Sequence, residues 1–192
     1  MTITESTPTT RTVDGVDVPV AGTYALDASH SQAGFVVRHL MVSKVRGAFT
    51  GVSGTVTVAE DINASTVAVE IDPASIDTRD AGRDEHLRTA DFLDAEQFPT
   101  ITYASTGLRR DGGDWVLDGE LTIKGISRPV RLEVEFLGAA GDPWGGTRLG
   151  FSAKGELDRE DWGLNWNQAL ETGGVLVGKV VTIDIAIEAA AA

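Results

Sequence analysis

Apolar and polar residues alternate with a period of two along most of this chain, and that rhythm constrains the fold more than any other feature. Between Thr66 and Ile71, the side of Val67, Val69 and Ile71 opposes that of Thr66, Ala68 and Glu70. Trp115, Leu117, Leu121 and Ile123 oppose Asp118, Glu120 and Thr122, while Val130, Leu132, Val134 and Phe136 oppose Arg131, Glu133 and Glu135. Further on, Leu149, Phe151, Ala153 and Leu157 stand against Ser152, Lys154 and Glu156, and Val181, Ile183, Ile185 and Ile187 against Thr182, Asp184 and Glu188. Successive side chains of a strand point to opposite faces, so each run is a strand with one apolar and one polar face. Further candidates near 22–27, 32–42, 47–59 and 100–109 bring the total to eight or nine. Turn-like links such as "RRDGGD" at 109–114 and "KGISRP" at 124–129 join neighbours directly, which makes an antiparallel meander. So many strands in one small domain close on themselves, because closure removes exposed edges.

The chain's 192 residues suffice for one domain with a sizeable core and are few for two. The net charge of −13, from 29 acids and 16 bases, argues against nucleic acid or an anionic membrane surface as a tight partner. With no cysteine, disulfides, thiolate metal sites and cysteine nucleophiles are excluded. The start, "MTITESTPTTRTVDGVDVP", lacks the basic opening and apolar run of a secretory signal and is threonine-rich. Residues 1–19 are therefore expected to be a flexible polar tail before a domain at 20–189, with the cytoplasm as the expected compartment. No segment approaches the roughly 20 apolar residues of a membrane span, so stable membrane insertion is not expected. Two segments break the alternation. "GRDEHLRTADFLDAEQF" at 82–98 predicts a helix with an Asp84–Arg88 pair four apart, and "DREDWGLNWNQALETGG" at 158–174 a short helix or structured loop.

The stretch "DASHSQAGFVVRHLMVSKVRGAF" at 27–49 holds His30 and His39, two of the three histidines; His86 is the third. On one regular strand, residues an odd number apart point opposite ways. Asp27 and His30 differ by three and His30 and His39 by nine, so neither pair converges without a bulge, for which Gly34 is the candidate. No metal site is expected, nor a catalytic group. Ser29 and Ser31 diverge from His30, no nucleophile elbow is present, and "GTVTV" and "GGTRLG" are not phosphate loops. His39 shares parity with Phe35 and Val37 and is read as a polar accent on a cavity wall, followed by a turn at Ser43–Gly47. Trp162 and Trp166, four apart, and Phe92, Phe98 and Tyr103 suggest two aromatic plugs at the barrel's mouth or wall.

Four segments in order resemble the signatures of the YceI-like family of polyisoprenoid-binding proteins. They are "YALDASHSQAGFVVRHLMVSKVRGAFTGVSGTV" from Tyr24, "SIDTRDAGRDEHLRTADFLDAEQFPTITYAST" from Ser75, "LDGELTIKGISRPVRLEV" and "GFSAKGELDREDWGLNW". The resemblance runs through residues 23–188. It implies an all-β, lipocalin-like extended antiparallel barrel of about eight strands with one or two short helices. It also implies a tunnel that binds an isoprenoid chain, such as a polyprenyl lipid or quinone tail, without an established catalytic reaction. Many members carry a signal peptide, which is not expected here.

The expected function is non-enzymatic binding, sequestration or transport of a long-chain isoprenoid, with no cofactor and with a homodimer left open. The expected ligand-binding walls are Phe35, Val37 and His39; Leu87, Phe92, Phe98, Ile101 and Tyr103; and Phe151, Trp162 and Trp166. One sequence does not decide which parity faces the lumen. Arg83, Asp84 and His86 are read as pinning the helical insert rather than meeting a head group. Two alternatives stand beside this reading. One is a lipocalin-fold isomerase or hydrolase using His30, His39 or His86 as acid–base; the other is an interaction module whose barrel is filled by its own side chains.

Overall fold

The computed structural model describes residues 9–143, 146–171 and 173–191. Strands β1 (Thr10–Val13) and β2 (Val16–Pro19) form a separate hairpin. A single antiparallel sheet contains β3 (Gly22–Leu26), β4 (Gln32–His39), β5 (Ser43–Phe49), β6 (Val52–Val58), β7 (Thr66–Ile71), β8 (Ile76–Asp77), β9 (Ile101–Asp111), β10 (Asp114–Ile123), β11 (Ile126–Gly141), β12 (Thr147–Asp158) and β13 (Val177–Ala191). Among the described residues the one α-helix is α1 (Ala81–Arg88).

The sheet closes because its first two strands are each interrupted once. β4 pairs with β5 from Ala33↔Phe49 to His39↔Ser43, and β3 continues the same hairpin with β6 from Ala25↔Thr55 to Gly22↔Val58. β6, β7, β9, β10, β11, β12 and β13 then follow as neighbours, and β13 returns to pair with both β4 and β3. Counting each interrupted strand once, the result is a closed antiparallel ring of eight strands. Closure gives each strand of the ring a neighbour on both sides over part of its length, and along β5 the two-residue β8 pairs at Ala48↔Asp77 and Phe49↔Ile76.

Helix α1 follows β8 and is fixed to it by charged side chains. Asp80 caps its N-terminus by accepting from the Arg83 amide at 2.9 Å. The buried Asp84 carboxylate accepts the Thr78 amide at 2.9 Å and the Thr78 hydroxyl, while Arg83 Nε donates to Thr78 Oγ1 at 2.7 Å. Arg88 donates to the carbonyls of Ala74 and Ile76. The helix therefore ends after Arg88, half the expected length, and Asp84 and Arg88 turn to separate backbone partners instead of to each other. Residues 89–98 form successive turns whose amides bond to carbonyls such as those of Thr89 and Asp94.

Two further expectations change. The stretch from Thr10 to Pro19 pairs as a hairpin through Asp14 and Gly15, both at positive φ (50° and 79°), where a solvated tail had been expected. Its Val18 is buried in a cluster with Tyr24, Val58, Ile62, Leu149 and Ala189 at one end of the barrel. The first eight residues of the expected tail lie outside the described residues. The turn in the histidine-bearing stretch falls at Leu40–Val42, and Ser43–Phe49 is strand. The larger core lies inside the barrel and includes Tyr103, Leu121, Leu132 and Trp162.

Candidate functional site

The lumen is a cavity of about 330 Å³, at the lower end of the roughly 300–1,000 Å³ of small-molecule sites. It is walled almost wholly by carbon. The apolar rows face inward: Val67, Val69 and Ile71 from β7, Leu117, Leu121 and Ile123 from β10, Leu132 and Val134 from β11, and Ile183, Ile185 and Ile187 from β13. The wall runs from Val18 and Pro19 beneath the N-terminal hairpin to Leu157, Leu164 and Val177 at the opposite end.

Of the residues singled out from sequence, Phe35, Val37, Leu87, Phe92, Ile101, Tyr103 and Phe151 line this cavity. His39, Phe98, Trp162 and Trp166 do not. His39 is the last residue of β4, paired with Ser43 and Val177 at the rim, so the inward row ends at Val37. Trp162 is a buried brace, its Nε1 donating to the Leu121 carbonyl at 3.0 Å. Trp166 stands behind the wall, its ring 5.2 Å from that of Phe92 and 4.8 Å from that of His86. Phe98 closes the turn from Asp94 by a 2.8 Å backbone bond and packs beside Gly125. Sequence reading missed the contributions of Val18, Pro19, Leu26 and the β6 valines. Those of Val18 and Pro19 depend on a hairpin that composition had disguised as a tail.

Of the polar residues that border the lumen, Ser65, Tyr103, Ser152 and Arg159, the tyrosine and the arginine are engaged by backbone carbonyls. The Tyr103 hydroxyl lies 3.3 Å from the carbonyls of Leu117 and Val130. Burial first, and the Asp118 charge second, push its pKa above the ordinary tyrosine value, so it stays a neutral donor. Its ring covers Gly119, where a Cβ would come within 2.4 Å of it, and the β9–β10 register shifts at that point. The buried Arg159 donates through Nε to the Gly178 carbonyl at 2.9 Å and through Nη1 to the Leu164 carbonyl. Burial pulls its pKa below the usual arginine range, opposed by Glu160 and Asp158.

The titratable cluster of the Asp27–Phe49 stretch sits outside the lumen. Residues 27–31 form a turn between β3 and β4, closed by the His30 amide on the Asp27 carbonyl at 3.2 Å. Strand parity therefore does not apply there, and Asp27 and His30 do meet, Oδ2 to Nδ1 at 3.2 Å. The break in the strand lies here, not at Gly34. Asp27 accepts from the Ser29 hydroxyl at 2.6 Å and from Arg148 Nη1 at 2.6 Å. Hydrogen bonds from Ser29 and His30, with Arg148 contributing, hold its carboxyl well below the usual range. Asp27, His30 and Glu188 bring possible ligand atoms within 4.8 Å of one another. Arg148 already pairs with Asp27 and, at 3.4 Å, with Glu188, so both carboxylates of the donor set are engaged by an internal cation. Nor is it a nucleophilic relay. Ser29 and Asp27 both face Nδ1 of His30, whereas a relay needs the hydroxyl and carboxylate on different ring nitrogens. His86 Nε2 pairs with Asp91 at 2.9 Å, also outside the cavity.

The closed eight-strand ring, its apolar lumen and the α1 insert between β8 and β9 find a counterpart among known proteins. A family model described as "YceI-like domain" matches residues 24–189. The chain belongs to the YceI-like family. Protein YceI of Escherichia coli O17:K52:H18 is 40% identical over 148 residues, covering 76% of this chain and 78% of that one. UPF0312 protein SAS2572 of Staphylococcus aureus is 40% identical over 170 residues, covering 86% and 95%. Among solved structures, Campylobacter jejuni YCEI protein superposes with a TM-score of 0.68 at 26% identity, covering 81% of this chain and 90% of that one. Burkholderia cenocepacia BcnA superposes at 0.73 with 22% identity over 85% and 98%, and so shares the fold. A domain from Saccharophagus degradans described as polyisoprenoid binding shares it too, at 0.63 and 18% identity over 88% and 98%. Among the described residues of this family member, no helix is long and apolar enough to cross a membrane.

Proposed function

We propose that the protein holds one slender apolar chain of the isoprenoid type in its lumen and acts as a non-enzymatic carrier or store for it. The observation that carries this reading is the wall: inward-facing apolar side chains from every strand of the ring, with the bordering Tyr103 and Arg159 bonded to backbone carbonyls. Membership of the YceI-like family agrees with it, and a barrel of the same fold is described as polyisoprenoid binding. Burying hydrocarbon gains about 0.8 kcal/mol per methylene-sized group. Ten such groups contribute about 8 kcal/mol before ordering costs, with no polar contact required. Such a site selects length and thickness more than head group.

Native mass spectrometry of the freshly purified protein, followed by solvent extraction, tests this. The expected result is a co-purifying or reloadable long-chain lipid. Ala153→Trp, which places an indole inside the lumen from β12, should abolish retention while leaving a folded barrel by circular dichroism. A protein that neither retains nor takes up any apolar chain would falsify the carrier reading.

A further inference from the structure

The chain is acidic overall, yet one face of the barrel is the reverse. Strands β5, β4, β13 and β12 lie side by side there, and a shallow outer groove runs over Val36, Arg38, Met41, Lys44, Arg46, Lys154, Lys179 and Val180. Arg38 and Lys44 are directly opposed across the β4–β5 ladder, an arrangement that repels. Among the described residues, Arg38, Lys44, Arg46 and Lys154 have no side-chain hydrogen bond or ion pair, and Lys179 has Glu160 at 2.7 Å. The carboxylates bordering the groove are Glu156 and Asp184. Asp158 turns away to cap the Arg159–Trp162 turn.

The same face carries exposed hydrocarbon. Five large apolar side chains are exposed among the described residues, and four of them are here: Leu40, Met41 (53%), Val42 (85%) and Val180 (52%). The hairpin that presents three of these is built against local preference. Leu40 and Met41 stand at φ 52° and 61°, in the left-handed region where a bulky residue costs about 1–2 kcal/mol. The other tight hairpins place Asp14–Gly15, Gly112–Gly113 and Lys124–Gly125 at such angles. Beside this tip the β13–β4 pairing skips between Val177 and Val181, and the bulged segment pushes Val180 outward. Val37 and Ile183 border both the groove and the lumen.

Exposed apolar residues on a strained tip, ringed by unpaired cations, match a bilayer interface with anionic head groups. We propose that this face docks the barrel on an anionic lipid bilayer, with Leu40–Val42 entering the head-group layer and Arg38, Lys44, Arg46 and Lys154 contacting phosphates. The net charge of −13 does not oppose this at contact, because acids more than about 10 Å away are screened at ordinary ionic strength. Docking places the interrupted β4–β13 seam, the side of the wall shared with the lumen, against the lipid.

Flotation of the purified protein with vesicles of phosphatidylglycerol and phosphatidylcholine in equal parts tests the proposal. Binding is expected on these vesicles, absent on pure phosphatidylcholine, and weakened by high salt. Arg38→Gln with Lys44→Gln should lower partitioning about 25-fold, at about fivefold per basic residue, and Val42→Asp should abolish it. Arg110→Gln, at the far end of the barrel, should leave it unchanged, and each variant should stay folded with a cooperative melt at or above the wild-type temperature. The proposal is overturned by no flotation of the wild type, by equal flotation on neutral vesicles, by insensitivity to the three substitutions, or by capture of an acidic protein or nucleic acid without vesicle binding. Because flotation does not read the lumen, its failure leaves the carrier reading standing, and an empty lumen leaves docking standing.

Discussion

The two ends of the barrel are finished in opposite ways. At the end covered by β1 and β2, Val18, Tyr24, Ile62 and Leu149 pack into a second core. Arg148 ties Asp27, Asp142 and Glu188 together over the neighbouring turn, and Arg11 stitches the hairpin to the carbonyls of Ala59 and Glu60. At the other end Trp162 and Arg159 hold the 159–164 turn from inside, but the rim beyond them is bare hydrocarbon and unpaired charge. Apolar surface is covered at one end and displayed at the other. A barrel that served only to stay folded has no use for the second arrangement, since exposed apolar groups on a left-handed turn stabilise nothing.

The contrast is open to direct attack. The largest effect is expected from Trp162→Ala, which removes a fully buried indole and its bond to Leu121 and should lower unfolding free energy by about 3–5 kcal/mol in urea titration. Leu149→Ala at the covered end should cost about 2–5 kcal/mol by the same measurement. Replacing Leu40 by Asn and Met41 by Gly should act in the reverse direction. It relieves the left-handed strain and should raise stability by about 1–2 kcal/mol, while flotation on anionic vesicles weakens. A loss of stability there would show that the tip is a packing element after all. The smallest effect is expected from Asp27→Asn. Because the native carboxyl titrates below its ordinary value of 3.8, its contribution is present above that pH and lost as pH falls further. Thermal melts below about pH 4 should therefore be less pH-dependent in the variant than in the wild type.

Much of the fold was legible because one face of nearly every strand is buried. Val181, Ile183, Ile185 and Ile187 can alternate with Thr182, Asp184 and Glu188 only on a strand with a dry side, and closure puts that side inward. Gly112–Gly113 and Lys124–Gly125 announced their turns because those angles favour glycine. The Leu40–Met41 turn carries no such signal, so it was placed three residues too late. Thr10–Pro19 read as tail because threonine composition outweighed the Asp14–Gly15 cue. Tertiary contact also withdrew His39, Phe98, Trp162 and Trp166 from the expected wall. Parity extends a row through His39, but cannot say where the barrel stops, and helical spacing of two tryptophans cannot distinguish a lining ring from one that braces it. Asp27 and His30 were separated by a rule valid only for an unbroken strand, and a turn without glycine hid the break.

The ring is sealed by its last strand, and this dictates an order of assembly. Ile183 finds Phe35, and Ala190 finds Ala25, across nearly the whole chain, so the closing ladder has the greatest loop-closure entropy and the slowest expected formation. Without β13 the sheet would have no partner for β12 on that side or for β4 opposite β5. The strand that closes the ring is thus also the one that completes the wall of the lumen, through Ile183, Ile185 and Ile187.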